Sequence, residues 1–231
     1  MHELQLVGKK KVRDPNGPVL VMDFEDNVVT DLVNPTRTYT VNGNPRILRD
    51  NAKNGTGCLY LGESDILKTP RTTDLNFLND FWFEVWGFCM SANAVGTSGG
   101  LNTILGYGAY PNAPGLLRWG LQEGKPTFNV PNGAADTPVA TSATVLAYNE
   151  WHHQAVGRNG NTIYLFTDGQ LVATGSYSGQ INFGDNLSIG AYEDARLSGG
   201  TYAGFNGRLD RLRMYDKCLH TTSFVPSSTL Y

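Results

Sequence analysis

One segment limits the possible folds more than any other. Between Phe81 and Met90 large apolar side chains fall on both faces of an extended chain. Phe81, Phe83 and Val85 point one way, while Trp82, Trp86 and Phe88 point the other. A strand with no wet face must sit centrally, one side in a core and the other beneath loops or a second chain. Ile163-Tyr164-Leu165-Phe166 has the same two-faced character. Leu209–Tyr215 instead alternates, with Leu212 and Met214 on one face and Arg211 and Arg213 on the other, as a half-buried strand does.

Short strand signals recur around these segments. They are expected at Val19–Phe24, Thr36–Val41, Cys58–Leu61, Phe81–Met90, Thr103–Tyr107, Leu116–Gln122 and Thr127–Val130. Others are expected at Trp151–Gly157, Thr162–Thr167, Leu171–Gly175, Leu187–Ala191 and Gly207–Tyr215. An Asn-Gly turn within Arg158-Asn159-Gly160-Asn161 and an Asp-Gly turn within Thr167-Asp168-Gly169-Gln170 mark two hairpins, since both dipeptides accept positive φ. Only Asp216–Phe224 hints at a helical turn, stopped at Pro226. Glycine supplies 27 of 231 residues, well above the usual ~7%, which suits many tight turns and argues against helix bundles. The fold class is therefore all-β: two antiparallel sheets packed face to face as a jelly-roll sandwich. The length is compatible with one such domain over residues 18–220. Residues 1–17 read as a polar basic arm, and residues 221–231 as a C-terminal tail.

Eighteen basic residues against 21 acidic give a net charge of −3, which offers no broad electrostatic reason to bind nucleic acid. The apolar runs fall far short of the ~18 residues of a membrane span, and the N-terminus lacks the apolar stretch of a signal peptide. Cys58, Cys89 and Cys218 are odd in number, widely spaced and free of any C-x-x-C pair, so neither a disulfide framework nor a zinc site follows. The expected compartment is a reducing cytosol, at least until assembly.

Trp151-His152-His153-Gln154-Ala155-Val156, followed by the segment from Asn159 to Gly169, resembles the laminin-G-like, or concanavalin A-like, jelly-roll family. The resemblance continues through Leu187-Ser188-Ile189-Gly190 and the closing segment Phe205 to Tyr215. Upstream, Phe81-Trp82-Phe83-Glu84-Val85-Trp86 is similar to an internal strand of that family, and Val19–Asp26 to its opening strand. It covers Pro18–Leu219 and is strongest over 150–219. It implies the sandwich, but not a single function, because this fold hosts lectins, glycan hydrolases, adhesion modules and virus surface proteins.

Hydrolysis of glycans in this superfold resembles a three-carboxylate strand pattern, E-x-D-x-x-E, in which acid and nucleophile stand ~5 Å apart. Glu84 is followed by Val85 and Trp86, so the neighbouring carboxylate is missing, and Asp23, Glu25 and Asp26 read as a solvated strand exit. Gly96-Thr97-Ser98-Gly99-Gly100 lacks the strand-to-helix setting of a nucleophile elbow. His152 and His153 are adjacent on a strand and point to opposite faces, so they cannot chelate one ion together. The chain is thus expected not to be an enzyme. The resemblance implies one possible calcium ion, since related jelly rolls often carry one, with Asp23 and Asp210 brought together by the first and last strands. No cofactor is assigned on that basis.

Sugar binding needs aromatic platforms beside polar loops. Tyr107, Tyr110 and Trp119 form one candidate group, Tyr192 and Tyr202 another, although each ring could equally pack in the core or an interface. The expected role is a structural or adhesion protein displayed on a bacteriophage virion, on the capsid or the tail and its fibres. Its expected partners are other virion proteins, a host-surface glycan and further copies of itself. A cellular lectin-like module is the alternative.

Overall fold

In the computed structural model, which describes residues 14, 16–91, 101–107, 117–130, 138–179, 186–191 and 204–228, the chain builds two antiparallel sheets. Numbered in chain order, the first strands are β1 (Leu20–Met22), β2 (Thr40–Asn42), β3 (Arg46–Leu48), β4 (Cys58–Leu61) and β5 (Ile66–Pro70). They are followed by β6 (Phe81–Cys89), β7 (Leu101–Tyr107), β8 (Leu117–Gln122), β9 (Lys125–Asn129) and β10 (Pro138–Thr141). The last are β11 (Trp151–Asn159), β12 (Thr162–Thr167), β13 (Gln170–Ser176), β14 (Asn186–Ile189) and β15 (Gly207–Tyr215). Sheet A runs β13-β12-β11-β6-β15-β4-β3, with β1 also paired to β15, and sheet B runs β10-β9-β8-β7-β14-β5-β2. The expected all-β sandwich is present. Among the described residues the only helical element is a 3-10 turn, Thr73–Leu75, and no helix is long and apolar enough to cross a membrane.

The core sits between the sheets and follows from period-two patterning. Phe81, Phe83 and Val85 of β6, Val156 of β11, and Ile163 and Leu165 of β12 meet Leu105, Trp119, Phe128 and Leu187 of sheet B in one buried cluster. On β15, a bulge between Asp210 and Arg213, with Arg211 at φ 53°, lets Leu209, Leu212 and Met214 all face inward although their spacing breaks strict alternation.

The other side of sheet A is half covered by the chain itself. Trp82, Ala155 and Phe166 form a second cluster, packed against Cys218, Leu219 and Phe224 of the segment that follows β15. That segment, 216–228, contains no helical turn. Burying Cys218, Leu219 and Phe224 on one flat face calls for an extended strap, and tertiary packing overrides the local preference. Phe224 donates its N–H to the Gly169 carbonyl at 2.8 Å, and a side chain at Gly169 would collide with the Phe224 carbonyl.

Both hairpins are present. Thr167 pairs with Gln170, leaving Asp168 (φ 50°) and Gly169 (φ 76°) as the Asp-Gly turn. In the other, Asn159 pairs with Thr162, so the two turn residues are Gly160 and Asn161 rather than Asn159 and Gly160. The long excursion between β1 and β2 is held by a buried ion cluster. Arg37 donates from Nε to Asp31 Oδ2 at 2.9 Å, from Nη2 to Asp74 Oδ2 at 2.6 Å and from Nη1 to Thr72 Oγ1 at 2.8 Å.

Candidate functional site

Two of the five aromatic candidates are not platforms. Tyr107 and Trp119 are fully buried inside the sandwich. Leu117, Trp119 and Leu121 alternate with Arg118, Gly120 and Gln122 along β8, and Trp119 lies opposite Phe128 on β9. Tyr107 meets Phe77 edge-on, with ring centroids 6.4 Å apart. The expectation of ligand contact is corrected for these two: Trp119 takes the inward parity of β8, and Tyr107 ends β7, which is buried along its whole length, so both rings lie in the core. Tyr110, Tyr192 and Tyr202 lie outside the described residues, as does the Gly96–Gly100 string.

The carboxylates are occupied structurally. Glu84 is buried on the strap side of β6, with Arg213 Nε 2.8 Å from Oε1 and His153 Nε2 3.3 Å from Oε2. Burial alone would raise its pKa, but the His153 hydrogen bond and the Arg213 charge outweigh that and hold it below the usual carboxylate value. Asp23 accepts the Glu25 N–H at 3.2 Å, whereas Asp210 accepts the Asn54 N–H at 2.7 Å. Each therefore caps a different turn, and among the described residues no three His, Cys, Asp or Glu side chains are grouped to hold a metal ion. The two histidines do diverge. His152 Nδ1 lies 2.8 Å from Asp168 Oδ2, while His153 packs edge-on to Trp86 and Phe224.

The register of sheet A assembles something that no local stretch of sequence contains. Arg46 of β3 lies opposite Tyr60 of β4, and Tyr60 opposite Arg208 of β15. Arg208 in turn lies opposite Phe88 of β6, and Phe88 opposite Trp151 of β11. These five residues form one cross-strand row on the outer face, spanning ~19 Å at the usual strand spacing. The Arg46 guanidinium stands 5.1 Å from the Tyr60 ring centroid and that of Arg208 5.8 Å from Phe88, while Phe88 and Trp151 are tilted against each other at 5.5 Å. Arg46 is exposed, and the other four are half-buried.

The loop between β3 and β4 borders this row. Arg208 donates to the Asp50 carbonyl at 2.5 Å and to Asp50 Oδ2 at 3.1 Å, and Trp151 Nε1 donates to the Asn51 carbonyl at 3.2 Å. Further along, Lys53 sets its ammonium 4.3 Å from the centroid of the half-buried Trp86. The loop is anchored by Asp210 at Asn54 and by Glu25, which accepts from the Thr56 N–H and hydroxyl. Ring faces and cationic donors thus alternate over a surface that sequence reasoning identified only as the second apolar face of Phe81–Met90.

Residues 61–223 match the family described as the Concanavalin A-like lectin/glucanases superfamily, Laminin_G_3. No curated protein matches the chain by sequence. Among solved structures, it is similar to the binding domain of Paraclostridial Mosquitocidal Protein 1, with TM-score 0.67 and 14% identity over 88% of this chain and 50% of that one. It is also similar to a botulinum neurotoxin type C structure whose report ties cell entry to two ganglioside molecules, with TM-score 0.64, 13% identity, and 88% and 49% of the two chains covered. The chain spans about half the length of those two toxin chains. Domain 4 of AbnA, a GH43 extracellular arabinanase from Geobacillus stearothermophilus, in complex with arabinotriose, is covered over 96% of its length and 90% of this chain, with TM-score 0.58 and 13% identity.

Proposed function

Because the chain belongs to the Concanavalin A-like lectin/glucanases superfamily, we propose that it is a non-catalytic carbohydrate-binding module that reads glycans on the outer face of sheet A. The observation that carries this reading is the row Arg46–Tyr60–Arg208–Phe88–Trp151. Aromatic rings offer apolar faces to the C–H side of a sugar ring, and the guanidinium groups between them donate hydrogen bonds to its oxygens. Glu84, engaged by Arg213 and His153 rather than by a second carboxylate, favours binding over hydrolysis. The likeness to a whole domain whose structure is in complex with arabinotriose supports the same direction.

A glycan array probed with the wild-type chain and with Tyr60→Ala and Trp151→Ala tests the proposal. Binding to at least one glycan class is expected, with each substitution weakening it roughly three- to tenfold. No binding across the array, or binding that both variants retain in full, would contradict it.

We further propose that the module works in many copies on a bacteriophage particle, attached to capsid or tail proteins. The three cysteines, none of them in a disulfide, suit a chain assembled in a reducing cytosol, and repetition would turn weak single-site contacts into firm attachment. Mass spectrometry of purified virions is expected to find the chain in multiple copies. Its absence there would leave the cellular lectin-like alternative.

A further inference from the structure

We propose that the saccharide taken by this row carries a carboxylate, and that Arg208 is the residue that receives it; the inference rests on the glycan-binding reading above. The structure already holds a carboxylate in that place. Asp50 Oδ2 sits 3.1 Å from Arg208 Nη2, and the two side chains differ sharply in exposure, 71% for Asp50 against 14% for Arg208. The guanidinium is therefore fixed over Phe88, whereas the carboxylate reaches it from a solvent-exposed loop tip. An ion pair with one exposed partner is weak and readily exchanged. A planar guanidinium fork matches any carboxylate brought in with the same orientation, so Asp50 occupies the position of a ligand group.

The surrounding charge points the same way. The chain as a whole is acidic, at −3, yet Arg46, Arg208 and Lys53 all stand over rings of this one face. Glu150 is exposed just before Trp151, but the acids within the five strands themselves are already committed elsewhere. Asp210, buried, accepts the Asn54 N–H, and Glu84, also buried, faces Arg213 and His153. An incoming anion thus meets cations over aromatic rings, with Asp50 as its competitor.

A saccharide fits this surface better than an acidic peptide. β4, β15, β6 and β11 each have a hydrogen-bonded strand on both sides. The edge strand of the row is β3, and a peptide added there would have β3 and β4 between it and Arg208, so at Arg208 it would forgo the main-chain hydrogen bonds on which strand addition depends. A uronic acid ring needs none of these, because it presents an apolar face to Tyr60, Phe88 or Trp151 and its carboxylate to Arg208.

The test is calorimetric titration of the full chain with galacturonate, glucuronate and mannuronate trimers beside the neutral galactose, glucose and mannose trimers, and with a glutamate oligopeptide. At least one uronate is expected to bind about tenfold tighter than its neutral counterpart, an advantage that falls as ionic strength rises. Asp50→Ala is expected to tighten that binding several-fold, since the Asp50 carbonyl still accepts from Arg208, and Arg208→Gln to reduce it to the neutral level. Asp50→Ala keeps the test decisive if Arg208→Gln proves unstable. Neutral trimers binding as tightly as uronates, or no gain from Asp50→Ala, would overturn the proposal while leaving glycan binding intact. Failure of every saccharide would remove both readings, and an Arg208-dependent preference for the glutamate oligopeptide would replace the sugar with an acidic peptide.

Discussion

The Asp168 carboxylate joins two neighbouring residues of β11 at once: Oδ2 lies 2.8 Å from His152 Nδ1, while Oδ1 accepts the His153 backbone N–H at 2.8 Å. Asp168 belongs to the turn between β12 and β13, so one side chain fastens that hairpin to the start of β11. The hydrogen bond that His152 donates to the Asp168 carboxylate raises the His152 pKa above its ordinary value. The Asp168 carboxyl is held below its ordinary value, because His152 and the His153 N–H outweigh the effect of burial. The raised His152 value gives stability that is full below the unfolded histidine pKa and lost as pH rises through the folded one. The lowered Asp168 value gives stability that is present above the unfolded aspartate pKa and lost as pH falls through the folded one. Together they predict a contribution greatest between about pH 4 and 6.5. Asp168→Asn should therefore lower the melting temperature more at pH 6 than at pH 8.5. With Asp168 48% exposed the loss stays within about 1 kcal/mol. An equal loss at both pH values would show that the ion pair contributes nothing.

Asp210 carries the opposite sign from an ordinary salt-bridged acid. Burial lifts its pKa to about 6, against the lowering effect of the Asn54 N–H. A raised folded-state value means that its contribution to stability is complete below about pH 4 and is lost as pH climbs through about 6. Asp210→Asn removes this titration and keeps an oxygen for Asn54. Relative to the wild type, the variant should gain on the order of 2 kcal/mol between pH 4 and pH 7, measured by denaturant unfolding. Parallel stability curves across that range would contradict the assignment.

Arg37 should be costly to replace. Asp31, fully buried, receives Arg37 on Oδ2 and the Val21 and Val33 N–H groups on Oδ1. Arg37→Met leaves that carboxylate buried beside an apolar chain, a loss of about 3–5 kcal/mol. For a chain of this size the melting temperature should fall by about 6–20 °C. Arg46→Met, at an exposed cation, should shift it by no more than a degree or two. Similar shifts for the two variants would refute a structural role for the buried cluster.

Strong local patterns were legible in the sequence, and long-range geometry was not. Cys58–Leu61, Thr162–Thr167 and Gly207–Tyr215 carry runs of apolar or alternating residues between turn signals, and they form strands over those spans. Arg46–Leu48, Ile66–Pro70 and Pro138–Thr141 escape notice because they are short and contain arginine, lysine or proline; pairing with neighbours, not their own composition, makes them strands. Trp119 could have been placed inside from the Leu117–Trp119–Leu121 alternation alone. The outer row could not, because its five residues lie on five strands far apart in sequence, aligned by the register of four separate pairings.

The four tryptophans offer the most direct test of glycan recognition on sheet A. Trp82 and Trp119 are fully buried in separate clusters, whereas Trp86 and Trp151 are half-buried on the outer face. In a nuclear magnetic resonance titration with a saccharide that binds, the indole N–H signals of Trp151 and Trp86 should move with ligand concentration, and those of Trp82 and Trp119 should stay in place. A bound saccharide that leaves Trp151 and Trp86 unmoved would place recognition elsewhere on the molecule and contradict the account.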